Sequence, residues 1–304
     1  MKKAIGTIAL LLALTALLLV TACQSQEPTI AINYDRDGNP ITLPDTIERI
    51  IVVGPSNTEL LIALGFGPYI IASDVHSDGL DGLPAGIPLF DIMTPDVEQI
   101  IYIEPDIVIV TGMSQAGGGD PFEPVSAAGI CVIFIPSSAS IAEIQEDIRF
   151  LAAVVGAQGK GTEIINEMQA EIDAISAISA TITEQRTVYF EISPYPWMFS
   201  FGTDTFLHEM IELIGAINVM GDQQGWTGVS DEIILDADPD VILTSVNFLD
   251  DPIGEIMERP GWDALTAVRN GDVFIICTNS SNRPNHNIVI ALREMAAAIY
   301  PDHF

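Results

Sequence analysis

The chain has 304 residues, 48% hydrophobic and only 17% charged, and its 42 acidic side chains outnumber its 11 lysines and arginines to give a formal net charge of −31. Apolar content this high excludes a disordered acidic chain, and the shortage of cations excludes a protein that neutralises nucleic-acid phosphates. At roughly 100–200 residues per domain the length fits two domains, each with enough apolar material for a core.

In chain order, Lys2 and Lys3 precede an apolar run over Ile8–Val20. That run is shorter than the ~20 residues that cross a bilayer. A basic start followed by a short apolar stretch reads as an export signal over 1–22. It ends in Val20-Thr21-Ala22-Cys23, which resembles the lipobox of bacterial lipoproteins and implies cleavage before Cys23 and lipidation of that residue. Processing would remove Lys2 and Lys3, take the net charge from −31 to −33 and leave Lys160 as the one lysine. Residues 23–30 form a polar tether. Asn33–Pro40, with Asp37-Gly38 at its centre, reads as a hairpin turn.

From there β-rich runs alternate with helical patterns. Strands are predicted at Ile50–Val53, Tyr69–Ala72, Ile107–Thr111 and Cys131–Ile135, and helices at Thr58–Leu64 (capped by Ser56 or Asn57), Pro95–Ile101 and Ile141–Val155. This alternation argues for a parallel sheet covered by helices. Between about Gly159 and Gln185, Ile164, Ile165, Met168, Ile172, Ile175 and Ile178 recur at helical spacing, and no Gly or Pro lies between Thr162 and Arg186, predicting a long helix that could connect two lobes. The alternation then restarts: strands at Val188–Ile192, Val241–Ser245 and Val273–Cys277, helices at Thr205–Ile214 and Ile288–Ile299. The expected organisation is a lobe over 31–158, a connecting helix over 159–186 and a second lobe over 187–304, each lobe doubly wound and Rossmann-like.

Internal repetition supports two related lobes. Glu104-Pro105-Asp106-Ile107-Val108-Ile109 echoes Asp238-Pro239-Asp240-Val241-Ile242-Leu243. Glu98 precedes the first by the same spacing at which Glu232 precedes the second. A further echo pairs the segment from Glu59 to Gly65 with that from Glu209 to Gly215.

Catalytic signatures are missing: there is no GxSxG, HExxH, P-loop or strand-following GxGxxG. Gly117-Gly118-Gly119 reads as a rim loop. His76, His208, His286 and His303 lack metal-ligand spacing, and no metal site is expected. Cys131 and Cys277 each lie in an apolar run and read as two buried free thiols in different lobes. The loops after strands, which face the ligand crevice of a doubly wound sheet, are more informative. Ser193–Gly202 carries Tyr195, Trp197, Met198, Phe199 and Phe201. Trp226 sits in a Gly/Gln-rich loop, Thr111-Gly112-Met113 follows a strand, and Asn282-Arg283-Pro284-Asn285-His286 follows the last one. Aromatics with one cation suit a bulky, partly apolar ligand with polar groups.

Several stretches together resemble the substrate-binding lipoproteins of ABC importers, in the group of ferric-siderophore, haem and cobalamin receptors whose two lobes are joined by one long helix. They are Asp37-Gly38 before Ile41-Thr42-Leu43-Pro44, Arg49-Ile50-Ile51-Val52, Pro55-Ser56-Asn57-Thr58-Glu59, the Glu104-Pro105-Asp106 motif, Trp226 ahead of Val229-Ser230-Asp231-Glu232, and Gly261-Trp262 through Gly271-Asp272-Val273. The resemblance implies that Glu98 and Glu232 dock into arginine pockets of a permease, and that His76, Thr111, Phe199, Trp226 and Arg283 contact the ligand; Met113 and Trp197 join them from the loop reading. Thr111 and Ile92 stand where the cobalamin receptors carry an aromatic. Eight arginines and one lysine after processing are few for a strongly anionic chelate. A haem ligand would draw on Met113, His76, Tyr195 or His286. The expectation is a non-catalytic, lipid-anchored, monomeric extracytoplasmic receptor with no cofactor of its own. It would deliver an iron chelate of siderophore type to an ABC permease and its ATPase, with a corrinoid or haem as alternative cargo. An extracellular enzyme or adhesion lipoprotein on the same scaffold is a distant alternative.

Overall fold

The computed structural model describes residues 32–304. The signal peptide and the tether with Cys23 lie outside the described residues. The hairpin turn is present, with Asp35 accepting backbone N–H bonds from Asp37 and Asn39 and an antiparallel bridge joining Tyr34 to Pro40.

The first half runs β1 (Ile50–Val52), α1 (Pro55–Ala63), β2 (Ile70–Asp74), β3 (Leu89–Phe90), α2 (Val97–Tyr102), β4 (Ile107–Thr111), α3 (Glu123–Ala127), β5 (Cys131–Ile135) and α4 (Ile141–Val154). Its five strands form one parallel sheet in the order β3-β2-β1-β4-β5. The chain reverses direction across the sheet between β1 and β4, and a crevice opens outside the strand ends at such a point. Gly54 sits there at φ 107°, and a Cβ on it would lie 2.9 Å from Thr111. Gly54, not Ser56 or Asn57, is the N-cap of α1, because Pro55 occupies the first helical position and starts the helix early. Ser140 caps α4 by accepting from the Glu143 amide, while the Glu143 carboxylate accepts from Ala139.

A single helix, α5 (Gln158–Ser179), follows; its 22 residues span about 33 Å at the standard rise. It stops short of residue 186, and a turn leads into the second half. That half comprises β6 (Thr187–Glu191), β7 (Phe199–Phe201), α6 (Phe206–Leu213), β8 (Ile217–Asn218), β9 (Trp226–Gly228), α7 (Asp231–Ala237), β10 (Val241–Thr244), α8 (Pro252–Met257), α9 (Thr266–Asn270), β11 (Val273–Ile275), α10 (Thr278–Asn282) and α11 (Ile288–Ile299). Four strands form a second parallel sheet, β11-β10-β6-β8, and β7 pairs with β9 as an antiparallel ribbon.

Both sheets bury both faces, which is why their strands read as continuous apolar runs. Alternate residues separate two environments. Ile50, Val52, Ile107 and Ile109 of one sheet, and Val188, Phe190, Val241 and Leu243 of the other, enter one core shared with α4, α5 and α11. Ile51, Val53, Val108 and Val110 enter a separate outer core of the first lobe. Tyr189, Ile242 and Val273 enter that of the second.

The repeats have structural counterparts. Asp106 accepts from the Glu48 and Arg49 amides at 2.8 Å each, and Asp240 accepts from the Thr187 amide and hydroxyl at 2.8 and 2.9 Å. Each motif Asp thus ties the start of one central strand to the entry of its neighbour. The residues two before them, Glu104 and Asp238, both take positive φ, 49° and 40°. Glu98 and Glu232 are both exposed at the second position of their helices, α2 and α7.

The thiols correct an expectation. Cys131 and Cys277 are free, but Cys131 is half-buried and Cys277 exposed. β11 is an edge strand ending at Ile275, so Cys277 falls beyond the sheet and caps α10 instead of entering the core. That helix also intervenes before Arg283, which does not follow the strand directly.

Close packing of α5 on α4 gives a stability prediction. A Cβ at Gly161 would lie 2.5 Å from the Ala152 Cβ. Gly161→Val should therefore lower the free energy of unfolding by about 1–3 kcal/mol or more through overpacking, measured by urea titration followed by circular dichroism. An unchanged midpoint would show that the two helices separate freely.

Candidate ligand cleft

In the first lobe, Asp74 ends β2 with a fully buried carboxylate. It accepts from the Gly54 amide at 2.9 Å, the Ser77 hydroxyl at 2.6 Å and the His76 amide at 2.8 Å. Three donors anchor the charge and fix the exposed turn that carries Val75 and His76. Asp91 follows β3 and is held below its usual pKa by the Thr94 and Met93 amides, the Thr94 hydroxyl and the nearby His76. Met93 and Met113 stand exposed beside it on the loops after β3 and β4.

In the second lobe, the segment after β6 rests on a buried ion network. Arg259 bonds Glu191 at 2.6 and 2.9 Å, pairs with Glu255, lies 4.4 Å over the Trp262 ring and reaches the Met198 sulfur at 3.3 Å. Burial pushes the Glu191 carboxyl up, opposed by Arg259. Burial alone would pull the Arg259 guanidinium down, but bonds to the two glutamates outweigh it and hold it above its ordinary value. Removing Arg259 would leave the buried Glu191 carboxylate unpaired, so the network depends on that one cation. Above it, Met198 and Phe201 are buried, while Trp197 is 83% exposed and Tyr195 and Phe199 also reach solvent. Trp226 pairs in register with Phe201 across the β7–β9 ribbon and packs edge-on to Phe201 and Phe206 at 5.9 and 6.5 Å between centroids, leaving one side exposed. Phe248, on the loop after β10, is 70% exposed.

The lobes are tied by two glutamates. Glu59 of α1 pairs with Arg283 and accepts from the side-chain amides of Asn285 at 2.6 Å and Asn287 at 3.1 Å, just before α11. Arg283 also reaches the His76 carbonyl at 3.4 Å. Glu209 of α6 accepts from the Ile141 amide at 2.8 Å, the first residue of α4. Glu59 and Glu209 are the leading residues of the second sequence echo. Each crosses to the start of the other lobe's last helix: Glu209 takes the Ile141 backbone amide, at the positive end of the helix dipole, whereas Glu59 takes only side chains, Arg283, Asn285 and Asn287.

Of the residues singled out from sequence, His76, Met113, Trp197, Phe199 and Trp226 are solvent-accessible on or beside strand-end loops, and Thr111 lies partly buried at the switch point against Gly54. Arg283 is engaged in the cross-lobe pair. Glu98 and Glu232 lie on α2 and α7, away from those loops. Sequence reasoning missed Glu59, Asn285, Asn287 and Phe248; the echo between Glu59 and Glu209 was the one available signal for the first. A separate groove of about 850 Å³ lies at the β8 edge, lined in part by His208, Glu212 and Asn218, apart from the strand-end loops.

With this geometry in view, the comparisons are decisive about family. Residues 50–278 match the periplasmic binding protein family. The chain belongs to it. Within this periplasmic binding protein family, it is 28% identical to an uncharacterized ABC transporter substrate-binding lipoprotein of Bacillus subtilis, over 89% of this chain and 85% of the relative. It is 24% identical to a cobalamin-binding protein of Halobacterium salinarum, over 88% and 73%. A solved structure of a possible iron-binding protein from Staphylococcus epidermidis superposes with a TM-score of 0.75 at 26% identity, covering 84% of this chain and all of that one. Among the described residues no helix is long and apolar enough to cross a membrane.

His286 lies between Glu59 and Glu167, its Nδ1 buried without a partner among the described residues. Burial holds the imidazole below its usual value, against the pull of both glutamates. The unfolded chain takes up this proton near pH 6.5 while the folded chain resists it, so the contribution is full above about pH 6.5 and lost as pH falls toward the lowered value. Stability should fall between about pH 7.5 and 5.5, and His286→Gln should reduce that fall. Urea titrations at both pH values check this, and an equal fall in the variant would overturn it.

Proposed function

We propose that this protein is the extracytoplasmic receptor of an ABC importer, anchored by lipid on Cys23. It captures an iron chelate of siderophore type between lobes formed by residues 31–158 and 187–304, then hands it to the permease. The observation that carries the reading is that Met93, Met113, Trp197, Phe199, Trp226 and Phe248 are all solvent-accessible on or beside the strand-end loops of the two sheets. A monomeric soluble protein rarely leaves so much apolar surface uncovered without a ligand or partner. Aromatic faces suit the apolar periphery of a large chelate. The Glu59 carboxylate between the lobes and the buried Glu191 carboxylate below the loop after β6 are held in ion pairs with Arg283 and Arg259, which supports a receptor over an enzyme. The chelate is cargo, and no resident cofactor enters the reading. A corrinoid is the second reading, favoured by the relative named as a cobalamin-binding protein.

Glu98 and Glu232 serve as the docking pair for arginines of the permease. Their matched placement at the starts of α2 and α7 presents two carboxylates in equivalent settings. Such charges guide encounter and orientation more than they add affinity. Glu98→Ala with Glu232→Ala should abolish uptake by reconstituted importer while leaving the ligand Kd unchanged; retained transport would remove these residues from docking.

Trp226→Ala should weaken binding on the order of tenfold, about 1.4 kcal/mol, by deleting one exposed aromatic face. Fluorescence titration with ferric trihydroxamate and with cyanocobalamin measures this. Unchanged affinity for whichever binds would place Trp226 outside the pocket.

A further inference from the structure

The described residues hold nine lysines and arginines, and six of them sit in ion pairs. Arg36 pairs with Glu146 and Asp147, Lys160 with Glu163, Arg186 with Asp272, Arg259 with Glu191 and Glu255, and Arg293 with Glu171. Arg49 and Arg269 donate to backbone carbonyls, and Arg149 is exposed on α4. Arg283 is the one cation at the meeting of the lobe rims, and it is taken as well. Its side chain is 15% exposed, and that of its partner Glu59 is 12% exposed. The two Asn amides on the other oxygen of Glu59 keep the carboxylate in place. Exposed Asp78, Asp91, Asp120 and Asp250 lie on the loops around the strand ends, and no ion pair among the described residues involves them.

We infer that Glu59 sets the charge class of the ligand: by holding Arg283 it leaves the cleft without a free cation, so the site admits neutral or cationic chelates and rejects anionic ones. The inference rests on the receptor reading above. An anionic chelate that bonds Arg283 meets a charge already neutralised by Glu59, and taking that charge fully would leave a largely buried carboxylate with its two amide donors but no counter-charge. It would also approach through the field of the rim aspartates, which repels anions and concentrates cations. A neutral or cationic chelate meets neither obstacle, and the exposed aromatic faces can receive its cation as well as its apolar periphery. The carboxylate is therefore a specificity-determining group even if it never touches the ligand.

The test measures Kd by tryptophan fluorescence for three probes: a ferric trihydroxamate bearing a free ammonium group, cyanocobalamin, and a trianionic ferric tricatecholate. The wild type should bind at least one of the first two more than about tenfold tighter than the tricatecholate. Glu59→Gln keeps the shape and an oxygen for the Asn amides but frees the guanidinium, and should narrow that ratio by about tenfold or invert it. Adding Arg283→Gln removes both charges and should restore the preference; Arg283→Gln alone should retain it. Thermal melts establish that each variant is folded, and Arg283→Gln alone carries the comparison if Glu59→Gln is not: a loss of preference in it overturns the inference. If the wild type binds the tricatecholate as tightly as the others, or if the ratio ignores Glu59, the charge rule falls and the receptor reading stands. If none of the probes binds the wild type, the receptor reading falls and takes the charge rule with it.

Discussion

The structure depends on a core that does not respect the division into lobes. Ile50 and Ile107 of one sheet and Val188 and Val241 of the other belong to the same buried cluster, closed by α4, α5 and α11. Opening the lobes as independent bodies would expose part of that cluster, at about 1.5–3 kcal/mol per large side chain fully brought into water. Only the strand-end rims, outside the shared core, are free to adjust at small cost. On the proposed receptor reading, capture falls to the rim loops and their side chains, with the backbone of α5 as a rigid spine.

Glu59 and Glu209 reinforce this arrangement at its two outer corners. Each carboxylate spans from the first helix of its echo segment to the N-terminus of the opposite lobe's closing helix. The bonds are charge-assisted; Glu209 meets the first backbone amide of α4, while Glu59 meets the Asn285 and Asn287 side chains just before α11. The ties differ in one respect that bears on function. Glu209 meets only a backbone amide, whereas Glu59 also consumes the single cation of the cleft. A pseudo-symmetric scaffold has thus acquired an asymmetric electrostatic role at one of its two corners.

What the sequence disclosed follows from how local each feature is. Ile107–Thr111, Cys131–Ile135 and Ile288–Ile299 have the bounds expected of them, since each is an unbroken apolar run or a clean helical period between turn residues. Cys277 was misplaced because an apolar run cannot announce that its strand is an edge that stops two residues early. The aromatic loop after β6 hid β7, a three-residue strand whose partner β9 lies some distance along the chain. The exposed side chains proposed to face the ligand were likewise legible as residue types on strand-end loops. The Glu59–Arg283 pair was not, because its members are 224 residues apart and neither carries a local pattern that demands the other.

The net charge of −31 reads differently with the structure in hand. A large acidic excess suggests a uniformly repelling surface, yet the carboxylates divide into distinct duties. Asp74, Asp106 and Asp240 hold backbone amides and fix turns and strand entries. Glu191 anchors the buried network under Trp197. Glu98 and Glu232 stand free at matched helix starts. The first two duties need a negative charge for separate physical reasons, amide donors and a buried cation, and the docking proposed for Glu98 and Glu232 would need it for a third. The consequence falls on the cations. So few are available, and nearly every one is bound by a neighbouring acid or carbonyl, that on the proposed receptor reading aromatic faces and neutral polar groups are what the strand-end loops have left to offer a ligand.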